Sequence, residues 1–303
     1  MTASVVIATY NGEKFITQLL QSILEQTRLP EQVIITDDNS TDNTCKIVSE
    51  FIKANKLDSW HLLVNEKNLG YAENYKRGVA QVKCDVIFFA DQDDVWVKNR
   101  LEVMLGVMEQ NNEVGLLNAD YVEFSGEIVD SAKYPLRAKA ITIKKFNLNA
   151  KNRFLKFPGC VMCLRKEFYD SVKEFWYEGW AHDEFLWCLA VLYNRCYHVN
   201  FVSLLRRVHE NQTSGKIGRD KNKRIKYLES EIKCASQLIM VAEKMGKDKK
   251  VISLYKKNKT TSELRLKLVK ERKIFNLFRL IFRLKYYNSK KSFLVEGLMA
   301  IKG

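Results

Sequence analysis

Proline is almost absent, with 3 residues in 303, and glycine is sparse at 13, which excludes collagen-like and low-complexity chains. Long apolar runs are missing too. The longest, residues 86–90 and 185–193, fall far short of the ~18 that a membrane span requires. The amino end reaches strand-like sequence by Ser4 with neither a basic stretch nor a cleavage site, so no secretory signal is expected. Seven cysteines at scattered positions make no disulfide framework and predict a reducing, cytoplasmic setting. What is present, 46% hydrophobic and 28% charged residues, is the composition of a folded chain of one large or two modest domains.

Charge is unevenly placed. Residues 216–303 hold 25 Lys+Arg against 8 Asp+Glu, a net of +17, whereas residues 1–215 hold 25 against 28, a net of −3. This asymmetry marks a boundary near residue 215 between a near-neutral body and a basic tail. Such a tail suits nucleic acid, anionic lipid or a merely solvated helical surface.

Along the body, short β-branched runs alternate with amphipathic segments. Residues 4–8 (SVVIA), 33–36 (VIIT), 61–64 and 85–90 (DVIFFA) read as strands. Between them, Phe15, Leu19, Leu20, Ile23 and Leu24 give a helix that Pro30 is expected to end. A second helix, capped by Ser40 or Thr41, turns Cys45, Val48 and Ile52 inward, and residues 71–82 give a third. Four such alternations predict βα units on a mostly parallel, doubly wound α/β sheet, whose ligands bind beyond the carboxyl ends of the strands. Further on, residues 115–122 and 159–164 read as strands and 184–193 as a helix. After Gly218 the pattern is helical, with Leu228, Ile232, Ala235, Ile239 and Ala242 on one face.

Polar clusters fall at the predicted strand ends. Asp91-Gln92-Asp93-Asp94 sets three carboxylates within four residues, which repel one another unless a cation offsets them. Hard oxygen donors of this kind suit Mg²⁺ or Mn²⁺ carrying a substrate phosphate. Alternatively, the acids favour a helix N-terminus, with Asp94 as a cap. At the second strand end, Asp38 is placed to accept a nucleobase N–H, with the Tyr10 ring nearby, whereas Asn39, Ser40 and Thr41 read as turn and capping residues. His209 reads equally as a third metal ligand, a phosphate donor or an ordinary imidazole. Arg206 and Arg207 suit either a diphosphate or the edge of the basic tail. Cys160 and Cys163 lack a second pair for zinc and read as core thiols. Asn211-Gln212-Thr213 matches a glycosylation acceptor by chance alone.

The ordered set VVIATYNGEKFI, ITDDNSTDNT, NLGYAENYKRG and FFADQDDVW resembles the amino half of glycosyltransferase family 2. The later PGCVMCLRKE, WAHDEFLW and LLRRVHENQTSG are similar to segments of its polysaccharide-assembling and rhamnosyltransferase-like members. The resemblance covers about residues 4–215. It implies a GT-A, Rossmann-like fold with nucleotide-sugar and acceptor halves of about 1–115 and 116–215; the charge and helical pattern place a basic helical region over 216–303 after it. It also implies an inverting transfer from a UDP- or dTDP-sugar to a hydroxyl of a growing, lipid-linked cell-surface glycan. Thr9, Tyr10, Asn11, Asp38, Asp91, Gln92 and Arg207 match nucleotide-sugar positions. Asp93, with Asp91 and His209, matches the Mn²⁺ or Mg²⁺ site. Asp183 matches the general base, although the adjacent Glu184 departs from the family pattern.

Two other readings stay open. A nucleotidyl or phosphosugar transferase on the same fold requires a Gly-rich basic loop that Tyr10-Asn11-Gly12-Glu13 does not supply. A non-catalytic membrane-surface module is the other. The tail supports membrane contact: Phe275, Leu277, Phe278, Leu280, Ile281, Phe282 and Leu284, with Arg272, Asn276, Arg279 and Arg283, give an apolar helix surface with a basic stripe. Tyr286, Tyr287, Lys290 and Lys291 add interfacial anchors. Packing on the catalytic domain or a dimer partner is the alternative, and no nucleic-acid module is visible. The expected location is the cytoplasm, peripheral on the inner face of the cell membrane.

Overall fold

The computed structural model describes residues 1–126, 140–209 and 220–302. The chain forms two compact units, Met1–Phe146 with Leu155–Asn211, and Asn147–Phe154 with Gln212–Gly303. Besides the basic tail, the second unit therefore takes in an eight-residue segment that a cut at residue 215 leaves in the first.

The first unit begins with β1 (Ala3–Thr9), α1 (Ile16–Leu24), β2 (Gln32–Asp37), α2 (Thr44–Ala54), β3 (Trp60–Val64), α3 (Tyr71–Val79), β4 (Val86–Asp91), β5 (Val95–Trp96) and α4 (Arg100–Gln110). It continues with β6 (Leu116–Phe124), β7 (Ile143–Lys145), β8 (Met162–Arg165), α5 (Lys166–Val172), α6 (His182–Leu192) and β9 (Cys196–Arg207). Strand order is β3-β2-β1-β4-β8-β6-β9-β5, with β7 also on β9. The sheet is parallel from β3 to β4. Beyond β4 it is mixed, because β8 lies antiparallel to both β4 and β6. Helices cover both faces of the parallel half, so β1, β2 and β4 are buried apolar runs without polar alternation.

Register is what creates a site. Thr9 pairs with Asp37 across β1 and β2, and Ala8 with Asp91 across β1 and β4. Three strands thus end level and present their polar termini along one edge.

Several local expectations give way to tertiary contacts. α1 ends at Leu24, well before Pro30. α2 starts at Thr44, because Ser40 is drawn back to Asp37 through its amide (2.8 Å) and hydroxyl (2.5 Å) while Asp42 accepts the Thr44 amide. Asp94 caps no helix, since Val95 and Trp96 instead pair with Leu205 and Leu204 of β9. Residues 159–164 divide into a 3₁₀ turn, Gly159–Val161, and the start of β8.

The second unit contains α7 (Lys221–Lys244), α8 (Lys249–Glu271), α9 (Asn276–Ile281) and α10 (Lys290–Lys302). Asp220 and Asp248 cap α7 and α8 by accepting the amides three residues on. The buried face of α7 includes Leu228, Ala235 and Ala242 as expected, together with the charged Arg224 and Glu231, while Ile232 and Ile239 are only half-buried. The single amphipathic helix expected around residues 272–284 is interrupted. Arg272 takes a left-handed conformation (φ 53°) that ends α8, α9 is short, and Leu284–Tyr286 form a 3₁₀ turn. No described helix is long and apolar enough to cross a membrane.

Candidate active site

The edge formed by the ends of β1, β2 and β4 is held by side chains from distant parts of the sequence. Gln92 clasps Tyr10 with both ends of its amide: Tyr10 N–H donates to Oε1 (2.9 Å) and Gln92 Nε2 donates to the Tyr10 carbonyl (3.0 Å). A Cβ on Gly12 would lie 2.2 Å from Gln92 Oε1, so the clasp requires glycine there. The Tyr10 ring itself is exposed. Asn11, at φ 49°, receives Thr41 N–H on Oδ1 (2.9 Å) and gives its own N–H to Ser40 Oγ (2.8 Å). It ties the turn after β1 to the loop after β2.

Asp37 and Asp38 are both buried. Asp37 takes the Thr9 hydroxyl at 2.8 Å. Asp38 accepts three N–H groups, from Asn65 Nδ2 (2.8 Å), Leu69 N (2.7 Å) and Gly70 N (2.8 Å). It thereby fixes the entry to α3. Asn65 in turn accepts from Arg77 of α3, so Asp38 is the inner member of an Asp–Asn–Arg chain beside the strand ends.

The acidic loop is more strongly perturbed. Asp91 accepts the Tyr75 hydroxyl at 2.7 Å; burial and the neighbouring Asp93 and Asp183 raise its pKa, with that hydroxyl and His182 opposing. Asp94 is 1% exposed, and burial, with Asp91 and Asp93 next, pushes it well above the usual carboxylate range. Asp93 meets His209 Nε2 at 2.8 Å through Oδ2. Arg207, matched to a diphosphate position, is buried. It donates its amide to Asp94 (3.1 Å), its Nε to the Asp93 carbonyl (3.0 Å) and its Nη atoms to the Gly126 carbonyl and Gln18, with its guanidinium between the Phe15 and Phe124 rings. It braces the acidic loop from within. Arg100, also buried, stacks 3.8 Å above Trp96 and donates to the Cys160 carbonyl, and its positive charge acts on Asp94 and Asp91.

Among the described residues, ligand atoms of Asp91, Asp94 and Cys160 gather within 4.8 Å of one another. The Cys160 thiol is raised well above its ordinary pKa by burial and then by Asp94 and Asp91, so it stays protonated and ill-suited to a hard ion. The carboxylates, with Asp94 Oδ2 buried and unpaired, are the donor set that Mg²⁺ or Mn²⁺ takes.

Asp183 opens α6. Its Oδ1 accepts the Glu184 amide (2.8 Å), and burial raises its pKa against the pull of the Glu184 and Gly159 backbone amides. Glu184 is occupied differently, accepting the Trp180 indole N–H at 3.2 Å. His182 is buried with its ring 3.9 Å from that of Tyr75 and 5.1 Å from that of Phe89. Tyr75 therefore touches the acidic loop with its hydroxyl and the segment bearing Asp183 with its ring. Gly159 sits under the same segment; a Cβ there would fall 2.2 Å from His182 Nε2 and 3.2 Å from Asp183 Cβ. Tyr75, His182, Gly159 and Arg100 were not singled out from sequence. Tyr75 lies within NLGYAENYKRG, Gly159 within PGCVMCLRKE and His182 within WAHDEFLW, whereas Arg100 lies outside every family-like segment.

The glycosyl transferase family 2 model matches residues 4–171. The chain belongs to glycosyltransferase family 2. It is 30% identical over 223 residues to the dTDP-rhamnosyl transferase RfbG of Shigella flexneri, covering 69% of this chain and 73% of that one. It is also 30% identical over 241 residues to an Escherichia coli UDP-Gal:alpha-D-GlcNAc-diphosphoundecaprenol beta-1,3-galactosyltransferase, covering 76% and 80%. In fold it is similar to S. aureus TarS in a crystal structure with UDP-GlcNAc (TM-score 0.64, 20% identity, covering 98% of this chain and 81% of that one). The first unit is accordingly a GT-A fold, and the protein is a glycosyltransferase.

Proposed function

We propose that this family 2 enzyme transfers a sugar, with inversion, from a UDP- or dTDP-sugar to a hydroxyl of a growing lipid-linked glycan. The observation that carries the reading is the Tyr75 bridge, which joins Asp91 of the acidic loop to the segment bearing Asp183. The two similar relatives act with dTDP-rhamnosyl and UDP-galactose chemistry, and one of them on a diphosphoundecaprenol-linked sugar. This reading puts the reaction at the cytoplasmic face of the membrane, where sugar nucleotides meet such acceptors.

In the proposed reaction the nucleoside lies against Thr9, Tyr10 and Asn11, with Asp38 backing the base-side wall. Asp183 takes the proton of the acceptor hydroxyl as its oxygen attacks the anomeric carbon. The bond to the diphosphate breaks on the opposite side, its electron pair leaves with the nucleoside diphosphate, and the configuration inverts. A divalent ion held by Asp91 and Asp94, with Asp93 and His209 as further ligands, would supply neutralisation of the departing diphosphate. Arg207 and Arg100 keep the acidic loop in place. The raised pKa of Asp183 suits a base, because it strengthens proton affinity while the group stays ionised as long as that pKa lies below the operating pH.

The test is a thermal-shift screen of nucleoside diphosphates with and without Mn²⁺, paired with transfer assays on a diphosphoundecaprenol-linked acceptor. Ligand binding to the native state raises apparent stability. Asp183→Asn should keep the donor-dependent shift and lose transfer, whereas Asp93→Ala should lose the Mn²⁺-dependent part of the shift. Full-rate transfer by both variants would overturn the assignment.

A further inference from the structure

The second unit ends in a surface that folding leaves unused. α9 is apolar on two sides. Leu277 and Leu280 pack with Leu268, Tyr287 and Ala300 in a small core, yet Phe275, Phe278 and Phe282 on the other side are 85%, 69% and 86% exposed. Ile274 and Ile281 are exposed among them. In α10, Leu294, Leu298 and Ile301, spaced four and three apart, form a second exposed apolar stripe. Large aromatic side chains are normally the first to be buried, so three of them outward on and at the two ends of one short helix call for a partner.

Charge indicates which partner. Residues 272–295 contain seven Lys+Arg and no Asp or Glu. Arg279, Lys285, Lys290 and Lys291 of that stretch are exposed. A second copy of this chain would set two such cationic patches face to face, and protein interfaces are depleted of lysine at their centres. An anionic bilayer surface suits both features together, taking phenylalanine side chains into the acyl boundary and ammonium and guanidinium groups at the phosphates.

We infer that the α9–α10 end of the helical unit docks on anionic phospholipid, with Phe275, Phe278 and Phe282 inserted and Arg279, Lys285, Lys290 and Lys291 at the headgroups. The geometry is that of a surface contact, because the six residues of α9 are far too few to span a bilayer. Each such cation contributes about fivefold to partitioning on an anionic surface. The inference is independent of the transfer reaction, since binding is read without donor or acceptor.

The experiment is co-sedimentation of the full chain with phosphatidylcholine vesicles, with and without a phosphatidylglycerol fraction, alongside light scattering of the protein alone. The expected result is sedimentation with the mixed vesicles only, weakened by salt. Phe275→Ser/Phe278→Ser/Phe282→Ser should abolish it, and Arg279→Gln/Lys285→Gln/Lys290→Gln/Lys291→Gln should weaken it by at least about a hundredfold. Both variants change exposed side chains and should retain wild-type thermal stability. Protein left in the supernatant, equal binding to both vesicle types, or undiminished binding by either variant would overturn the inference. A wild-type dimer that the triple serine variant converts to monomer, without vesicle binding, would assign the surface to a second copy instead.

Discussion

At the scale of single residues the active site depends on close packing as much as on charge. Gly159 is the clearest case: a methyl group there meets the His182 ring and presses on Asp183. A displacement of the order of 1 Å at a reacting group costs about 100-fold in rate. Gly159→Ala should therefore lower kcat by roughly that factor while leaving the donor-induced thermal shift in place, because the atoms nearest the added methyl belong to His182 and Asp183. An unchanged kcat would show that Asp183 is not held by this contact. Arg207 and Asn11 teach the complementary lesson. Each matches a substrate-binding motif, yet each spends its hydrogen bonds on joining loops.

At the scale of elements, the helical unit is organised by charge inside its core. Arg265 of α8 is fully buried, forming a two-point pair with Glu296 of α10 (3.0 and 2.8 Å) and a single contact with Glu231 of α7 (2.8 Å). Arg224 lies 3.6 Å from Glu296, and Ser262 and Tyr227 complete the bonding of Glu231. Removing one member leaves a buried cation uncompensated, so Glu296→Leu should destabilise the unit by about 3–5 kcal/mol in denaturant titration. Replacing Arg224, Arg265, Glu231 and Glu296 together with apolar residues of similar volume should recover most of that loss. A single-variant cost below about 1 kcal/mol would mean that water or relaxation already compensates the cluster. The helical period of α7 was legible from its leucines and alanines. Glu231 and Arg224 were not, because their partners lie on other helices and charged residues on a helix face ordinarily mark solvent.

At the scale of the whole molecule, proton linkage ties stability to the active site. Burial depresses the His182 pKa to about 4, against the opposing pull of Asp91. In the unfolded chain the imidazole titrates near the ordinary ~6.5, so between these values the unfolded state binds more protons. Stability should therefore be complete above about pH 6.5 and fall as pH drops toward 4, by about 3 kcal/mol in all. Chemical unfolding of metal-free protein across this range should show the slope, and His182→Phe, whose ring suits the aromatic neighbours, should flatten it. A slope of the same sign that persists in the variant would overturn the assignment to His182, because the raised carboxylates of the acidic loop contribute a slope of the opposite sign. The charge asymmetry, −3 against +17, is a property of the same scale and was legible at once from the sequence.

The sequence by itself determined the alternation of strands and helices through β4, because a strand buried on both faces must be apolar and its end must turn polar. For the same reason it located the Asp37-Asp38 and Asp91–Asp94 clusters at strand ends. Tertiary structure alone decided which members of those clusters face one another. Gln92 reaches Tyr10 across 82 positions, His209 reaches Asp93 across 116, and Tyr75 reaches both Asp91 and His182. It likewise broke the expected amphipathic helix at Arg272, turning part of its apolar surface into core and the rest outward. Local pattern fixes what each segment prefers to be, whereas the partner of a polar or aromatic side chain depends on packing among residues far apart in the chain.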